Sequence, residues 1–388
     1  MMRPLSALSM LVALLALLAL PACDSCSRAQ PPVASSPPVP PSAPEPPPPP
    51  APAPTPPPAP YEVHEWGLVG VDALPGAAAG PATVAAVPWA SPPPLAGHGP
   101  GINLAFPMNG AGLGKPILYV HLADGTDEIT FRARVTLPPQ GTIAEHWPER
   151  TLDAPGTVTW SDVRAHRGEC RPRTYPSLTD FPCNGREGCE AAELAKYETS
   201  DGACLTAAGR DYDHLFYRGE LATFGAPLVL TRGANGAVVA SNPTSELIGP
   251  FVVRVVVARG RLSVLVSDAV GEGGEVSIPS PAASPAPASA TRGAAARAAG
   301  TQALVSGLRA AGLTEPEIEA FGRAWWDEIF RTTGAGAGRR GYLGTSPSPP
   351  RDELLYWLPQ GSADRAAVLS FEPTPRAVRR ALLVRQAL

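Results

Sequence analysis

Between residues 31 and 60 the chain places 18 prolines, with an unbroken run from Pro46 to Pro50. Proline fixes φ and carries no amide donor, so this stretch can be polyproline II or coil but neither helix nor sheet interior. It divides the molecule: anything that folds lies after it and is held at the end of an extended segment. At ~3.1 Å per residue, about 30 such residues reach up to roughly 90 Å. A proline-rich block can also serve as an SH3-type ligand; here it reads as a spacer. The roughly 330 residues from Tyr61 onward are enough to bury one large core or two modest ones.

Upstream of the spacer, residues 1–22 have the order of a signal peptide. A basic start at Arg3 is followed by an apolar run of 16 residues over 5–20 and by Pro21-Ala22-Cys23. That run is short of the ~20 residues that span a bilayer comfortably. Leu20-Pro21-Ala22-Cys23 resembles the lipobox of bacterial lipoproteins, departing from its commonest form at Pro21. The resemblance implies cleavage before Cys23 and acylation of its thiol and new amino group. Cys23 is then a lipid anchor, residues 23–60 a tether, a membrane the partner of the N-terminus, and the cell envelope the location. Asp24 resembles an inner-membrane retention signal of some bacteria, and the choice between inner and outer membrane stays open. A secreted protein cut near Ala22 is the alternative.

The formal net charge of −4 gives no reason to expect nucleic acid as a partner. Its distribution says more. Residues 61–291 hold 24 acids against 16 bases, whereas residues 292–388 hold 9 acids against 13 bases. Opposite signs favour docking of the C-terminal part on the rest of the body, within the ~8–10 Å reach that salt permits.

From residue 61 to 278 the pattern is one of strands. Residues 117–122 and 129–137 are rich in β-branched side chains, and the second run alternates apolar with polar. Residues 228–230 and 237–239 flank Asn235-Gly236, and residues 251–258 and 261–266 flank Arg259-Gly260. Both read as hairpins, because Asn and Gly tolerate the positive φ of a tight turn. Residues 279–300, rich in Ala, Pro and Ser, read as a linker. Residues 301–311 and 314–330 follow as helices. The second opens on a capping box, Thr314 with Glu317, and presents Ile318, Phe321, Trp325 and Ile329 on one face. Residues 354–358 and 366–371 then read as strands and 375–387 as a final helix carrying Arg376, Arg379 and Arg380. The expected class is α+β: a β-rich, antiparallel, sandwich-like body with a helical and mixed C-terminal segment, 301–388, packed on it.

Cys170, Cys183, Cys189 and Cys204 fall in a polar, turn-rich stretch, 168–206, that reads as an insertion without a core of its own. In an oxidising envelope the expectation is two disulfides, with three pairings open. No C-x₂-C pair among these four supports a zinc knuckle.

Candidate chemistry is sparse. His64-Glu65 invites a zinc-protease reading, but the motif needs a second histidine at position 68, which is leucine. Residues 63–71 look extended, so His64 and Trp66 share one face of a strand and Glu65 takes the other. The string Gly336-x-Gly338-x-x-Gly341 follows a helix rather than a strand and precedes a proline-rich stretch, so it does not read as a dinucleotide loop. No nucleophile elbow, Walker loop or EF-hand loop occurs. The six histidines show no ligand spacing, and neither a metal nor another cofactor is expected. The densest polar and aromatic cluster is Asp211-Tyr-Asp213-His214 with Arg218 and Glu220, beside Leu215-Phe216-Tyr217. It reads as the solvent face of a strand, with a binding pocket as the alternative. Trp325 and Trp326 read as core plus a partly covered neighbour, with a ligand platform as the alternative.

Several segments together resemble an uncharacterised family of exported bacterial proteins marked by a His-Glu-Trp-Gly stretch near the mature N-terminus. Here that stretch is Glu62-Val-His-Glu-Trp-Gly67. The others are Leu137-Pro-Pro-Gln-Gly141 with Glu145-His-Trp-Pro148, Leu215-Phe-Tyr-Arg-Gly219, Gly312-Leu-Thr-Glu-Pro-Glu317 with Ala324-Trp-Trp326, Leu354-Leu-Tyr-Trp-Leu-Pro359 and Glu372-Pro-Thr-Pro-Arg376. Leu68-Val69-Gly70 departs from the Thr-Phe-Thr that follows the glycine in many relatives. The resemblance implies that body and C-terminal segment form one unit and supplies no mechanism. The function expected is a non-catalytic binding or structural module with an envelope polymer or protein as partner. Two alternatives stand beside it. One is a hydrolase of such polymers, metal-assisted or not, in which His64, Glu65 and the cluster of residues 211–218 converge. The other is a scaffold subunit that uses the helix of Trp325 and Trp326 as its contact.

Overall fold

The computed structural model describes residues 58–71, 111–148, 152–170, 196–221, 224–258, 260–281, 290–330 and 351–388. The leader, Cys23, most of the tether, Cys183, Cys189, His98 and the glycine string at 336–341 lie outside the described residues. Pro56–Leu388 forms one compact unit. Among the described residues no helix is long and apolar enough to cross a membrane.

In chain order the strands are β1 (Ala59–Val71), β2 (Ala111–Leu122), β3 (Glu128–Thr136), β4 (Thr142–Trp147), β5 (Thr157–His166), β6 (Cys204–Ala207), β7 (Arg210–Tyr212) and β8 (Leu215–Leu221). They continue with β9 (Val229–Arg232), β10 (Val238–Ser241), β11 (Ile248–Ala258), β12 (Arg261–Val270) and β13 (Glu275–Ile278). Helices α1 (Ala290–Ala310) and α2 (Glu315–Phe330) come next, then β14 (Arg351–Trp357), α3 (Gln360–Ala366), β15 (Val368–Glu372) and β16 (Pro375–Ala387).

The main sheet has eight strands in the order β12-β11-β14-β16-β1-β2-β8-β4. All its neighbours are antiparallel except β1 and β16, the first and last strands of the body, which pair in parallel at its centre. A five-stranded sheet, β15-β3-β5-β6-β7, covers one face: Tyr61 of β1 meets Phe131 of β3 with ring centroids 5.5 Å apart. Helices α1 and α2 cover the other face, where Phe321 of α2 meets Trp66 of β1 edge-on at 5.4 Å. The fold is α+β and β-rich, as the patterning implied. A small third sheet, β13-β10-β9, is pinned to the main one by Arg254 of β11. That buried guanidinium forks onto Asp352 at 2.9 and 2.7 Å and donates to the carbonyls of Gly236, Ile278 and Pro279.

Both expected hairpins are present as β9–β10 and β11–β12, and Asn235, Gly236 and Gly260 adopt positive φ in their turns. The capping box is present too. The Thr314 N–H donates to Glu317 at 2.8 Å, and the Glu317 N–H donates to the Thr314 hydroxyl at 3.3 Å.

Three expectations are corrected. Residues 375–387 are strand β16, not a helix: the neighbours of a central strand satisfy its backbone, and that outweighs the helix propensity of Ala, Arg and Leu. Residues 290–300, read as linker, are the first half of α1. The cluster at residues 211–218 is not a solvent face. Tyr217 and Arg218 are buried because β8 runs between β2 and β4, Tyr212 of β7 packs on Trp147, and His214 is buried among aromatic rings, while Asp211 and Asp213 are partly exposed.

Candidate functional site

The strand that begins the body organises the buried polar groups of both faces. Side chains alternate along β1, so Glu62, His64 and Trp66 face the helices while Glu65 faces the five-stranded sheet. The Gly67 backbone runs close beneath β2: a Cβ there would sit 2.8 Å from the Pro116 Cα.

On the sheet side, Glu65 is fully buried and saturated. The Tyr217 hydroxyl donates to its Oε1 at 2.8 Å, and the Arg380 Nε donates to its Oε2. Arg380 is the register partner of Glu65 across the parallel β1–β16 pair, and it also donates to Asp364 at 2.9 Å and to the Ala367 carbonyl at 2.8 Å. Burial pushes the Tyr217 hydroxyl far above its ordinary value, and the Glu65 charge adds to the effect. Burial disfavours the Arg380 charge, but Glu65 outweighs that and keeps the guanidinium ionised. This buried clamp ties β1, β8 and β16 of the main sheet together, and Arg380 carries it to α3 and the residue that follows it.

On the helix side, Glu317 of α2 is fully buried and meets two imidazoles. Its Oε2 lies 2.9 Å from His64 Nδ1, and its Oε1 lies 2.8 Å from His121 Nε2. Glu62 and His121 are register partners on β1 and β2, so His64 and His121 are diagonal neighbours on one face, with ring centroids 4.2 Å apart. His64 Nε2 is buried, has no hydrogen-bond partner, and points toward Glu62 Oε2 at 3.7 Å. Arg379 of β16 fixes Glu62 through a 3.0 Å bond. Arg379 in turn lies under the α1–α2 turn, where Gly312 has a φ of +83° and a Cβ would come within 2.6 Å of Nη1. Burial pushes the Glu317 carboxyl upward, but hydrogen bonds from His121 and His64 outweigh it and bring the pKa down to about 2. Burial works against the His121 charge, yet Glu317 raises its pKa above the ordinary value. Beside this cluster, Trp66 packs among Tyr119, Tyr197 and Phe321.

The remaining residues singled out by sequence go elsewhere. His214 is buried between Tyr119, Tyr197 and Phe216, with Nδ1 2.7 Å from Asp213. Asp211 sits on β7 and accepts from the Thr206 hydroxyl at 2.8 Å. Trp325 is buried in the core, and Trp326, partly covered, packs on Phe321 and Phe330 at 5.1 and 6.2 Å. Cys170 and Cys204 pair as a disulfide with Cα atoms 5.2 Å apart, which ties the end of β5 to β6. His64 and Glu65 therefore serve opposite faces, and the convergence that a hydrolase built on both would need does not form. His121 and Glu317 were not singled out as site residues. The only local signal at Glu317 was its place in a capping box, which gave no hint of the histidines.

No family model matches the chain, and no curated protein matches it. Among solved structures, the Fcho1 Mu homology domain of Danio rerio with bound Eps15 peptide is similar over 85% of this chain and 97% of that one, at 9% identity and a TM-score of 0.30. At that level neither fold nor partner transfers.

Proposed function

We propose that this is a cell-envelope lipoprotein, anchored through Cys23, that displays a rigid module on a proline-rich spacer, and that the module acts by binding an envelope polymer or protein. The leader and the Leu20-Pro21-Ala22-Cys23 sequence support the anchor, since several acyl chains on one cysteine hold far more firmly than one. The Cys170–Cys204 pair agrees with an oxidising compartment. One observation favours binding over the hydrolase drawn from His64 and Glu65: Glu65 is fully buried, and both of its carboxylate oxygens are engaged, by Tyr217 and Arg380. A carboxylate so enclosed cannot come within hydrogen-bond reach of a substrate. The resemblance to the His-Glu-Trp-Gly family fits the same reading, because Glu65 from one motif meets Tyr217 from another, and His64 meets Glu317 from a third.

The experiment is fractionation together with a binding assay. The wild-type chain is expected in the membrane fraction and Cys23→Ser in the soluble fraction; a Cys23→Ser variant that stays with membranes overturns the anchor. Purified protein is expected to co-sediment with envelope polymer, or to retain a discrete envelope protein, without releasing soluble fragments from the polymer. Fragment release overturns the binding role.

A further inference from the structure

We infer that His64, His121 and Glu317 form a binding site for one divalent transition-metal ion of the zinc type, set between β1, β2 and the N-terminus of α2.

The site stands on three observations. First, one nitrogen from each imidazole and one carboxylate oxygen lie within 4.8 Å of one another, close enough for a single ion to reach all three. A metal at ~2.0–2.2 Å from nitrogen and oxygen ligands needs such a triangle. Second, the ligands come from two neighbouring strands and a helix, each placed by packing unrelated to the site. His64 and His121 project from the same sheet face, and Glu317 is held by the Thr314 N–H at 2.8 Å. Third, a carboxylate stands behind His64 at 3.7 Å, just beyond hydrogen-bond distance, where metal-bound imidazoles commonly have one. With Nδ1 turned to Glu317, the buried Nε2 has no hydrogen-bond partner and faces Glu62, which is itself tied to Arg379. A carboxylate behind a histidine fixes its tautomer and orientation and strengthens it as a ligand. Placing the His64 proton on Nε2, toward Glu62, frees Nδ1 to ligate.

The donor set selects the ion. Two imidazoles and one carboxylate suit zinc and its first-row neighbours, whereas calcium and magnesium prefer all-oxygen surroundings. The cluster reaches solvent on one side: the His121 and Glu62 side chains keep 18% and 27% of their exposure. An ion held by three protein ligands on that side can take a solvent oxygen or an oxygen or nitrogen donor of a bound partner as its fourth. A carboxylate neutralised by two imidazoles as a purely structural cluster is the rival account, and the two differ in a measurable way.

The test uses the full-length chain carrying no polyhistidine tag, stripped with a chelator and titrated with Zn²⁺ by calorimetry. Parallel samples with Co²⁺ are followed by visible absorption. One ion per chain is expected, with a rise in unfolding temperature on addition of Zn²⁺ and Co²⁺ bands of a four- or five-coordinate site. Glu317→Gln keeps the capping geometry, since glutamine serves at that position too, and His121→Ala removes a partly exposed side chain. Both variants are expected to fold, by circular dichroism, and to lose roughly 100-fold or more in Zn²⁺ affinity, at or beyond the upper end of what outer-contact changes cost. The inference is overturned if the wild-type chain binds no stoichiometric Zn²⁺, or if both folded variants bind it as the wild type does. It depends on neither anchor nor tether, so its failure would leave the proposed localisation standing.

Discussion

Glu65 and Arg380 are the residues whose chemistry is most constrained by position, because each is buried and answers the other across the only parallel pair of the main sheet. Removing one partner of a buried pair strands a charge in a poorly solvated place, which costs more than the pair itself contributes. Arg380→Ala is therefore expected to destabilise the protein by ~3–5 kcal/mol, seen as a lower denaturant midpoint at an unchanged slope. The double variant Glu65→Gln with Arg380→Met leaves no uncompensated charge and is expected to recover much of that loss. A cost below ~1 kcal/mol for the single variant would mean that Glu65 is hydrated and the clamp is not closed. The face on which each residue lies was legible from strand alternation: His64 with Trp66, Glu65 opposite. Their partners were not, since Tyr217 is 152 residues and Arg380 is 315 residues from Glu65.

The α2 cap and the tight hairpin turns, whose signals are local, were read correctly, whereas the start of α1 and strand β16 were not. The start of α2 depends on four consecutive residues, and the reciprocal Thr314–Glu317 bonds are those a capping box requires. Thr314→Ala is expected to cost about 1 kcal/mol, measurable as a shifted thermal midpoint. The Thr314 N–H that holds the Glu317 carboxylate is retained in the variant, so Zn²⁺ affinity should stay close to that of the wild type. The Asn235-Gly236 hairpin was legible for the same reason, as its positive φ values demand those residue types. Strand β16 is the counter-example. Residues 375–387 contain the arginines, alanines and leucines of a good helix, and nothing nearby contradicts that. In the fold its arginines are distributed by strand alternation: Arg379 to Glu62, Arg380 to Glu65 and Arg385 to Glu353. A basic helical face and a set of interstrand ion pairs have the same sequence, and only the acids opposite distinguish them.

At the scale of the molecule, the body is closed by its own ends. β1 and β16 lie side by side in the middle of the eight-stranded sheet, so no N-terminal half can complete its core without the last thirteen or so residues. Deletion of residues 375–388 is expected to abolish cooperative unfolding and expose the chain to proteolysis, whereas deletion of residues 1–55 should leave the thermal transition of the remainder unchanged. A folded product from the first deletion would refute this account of the closure. The sequence by itself determined which stretch its prolines bar from helix and sheet interior, that the body is β-rich with helices late in the chain, and where the tight turns and the α2 cap fall. Each of these rests on interactions within a few residues: the fixed φ of proline, the positive φ of Asn and Gly, the two-residue and 3.6-residue periods. Only the tertiary structure decided that β16 is a strand, that Glu65 is locked in a clamp, and that His64 meets His121 and Glu317. Those contacts join positions up to 317 residues apart, and their energies come from burial and charge pairing that do not exist until the layers close.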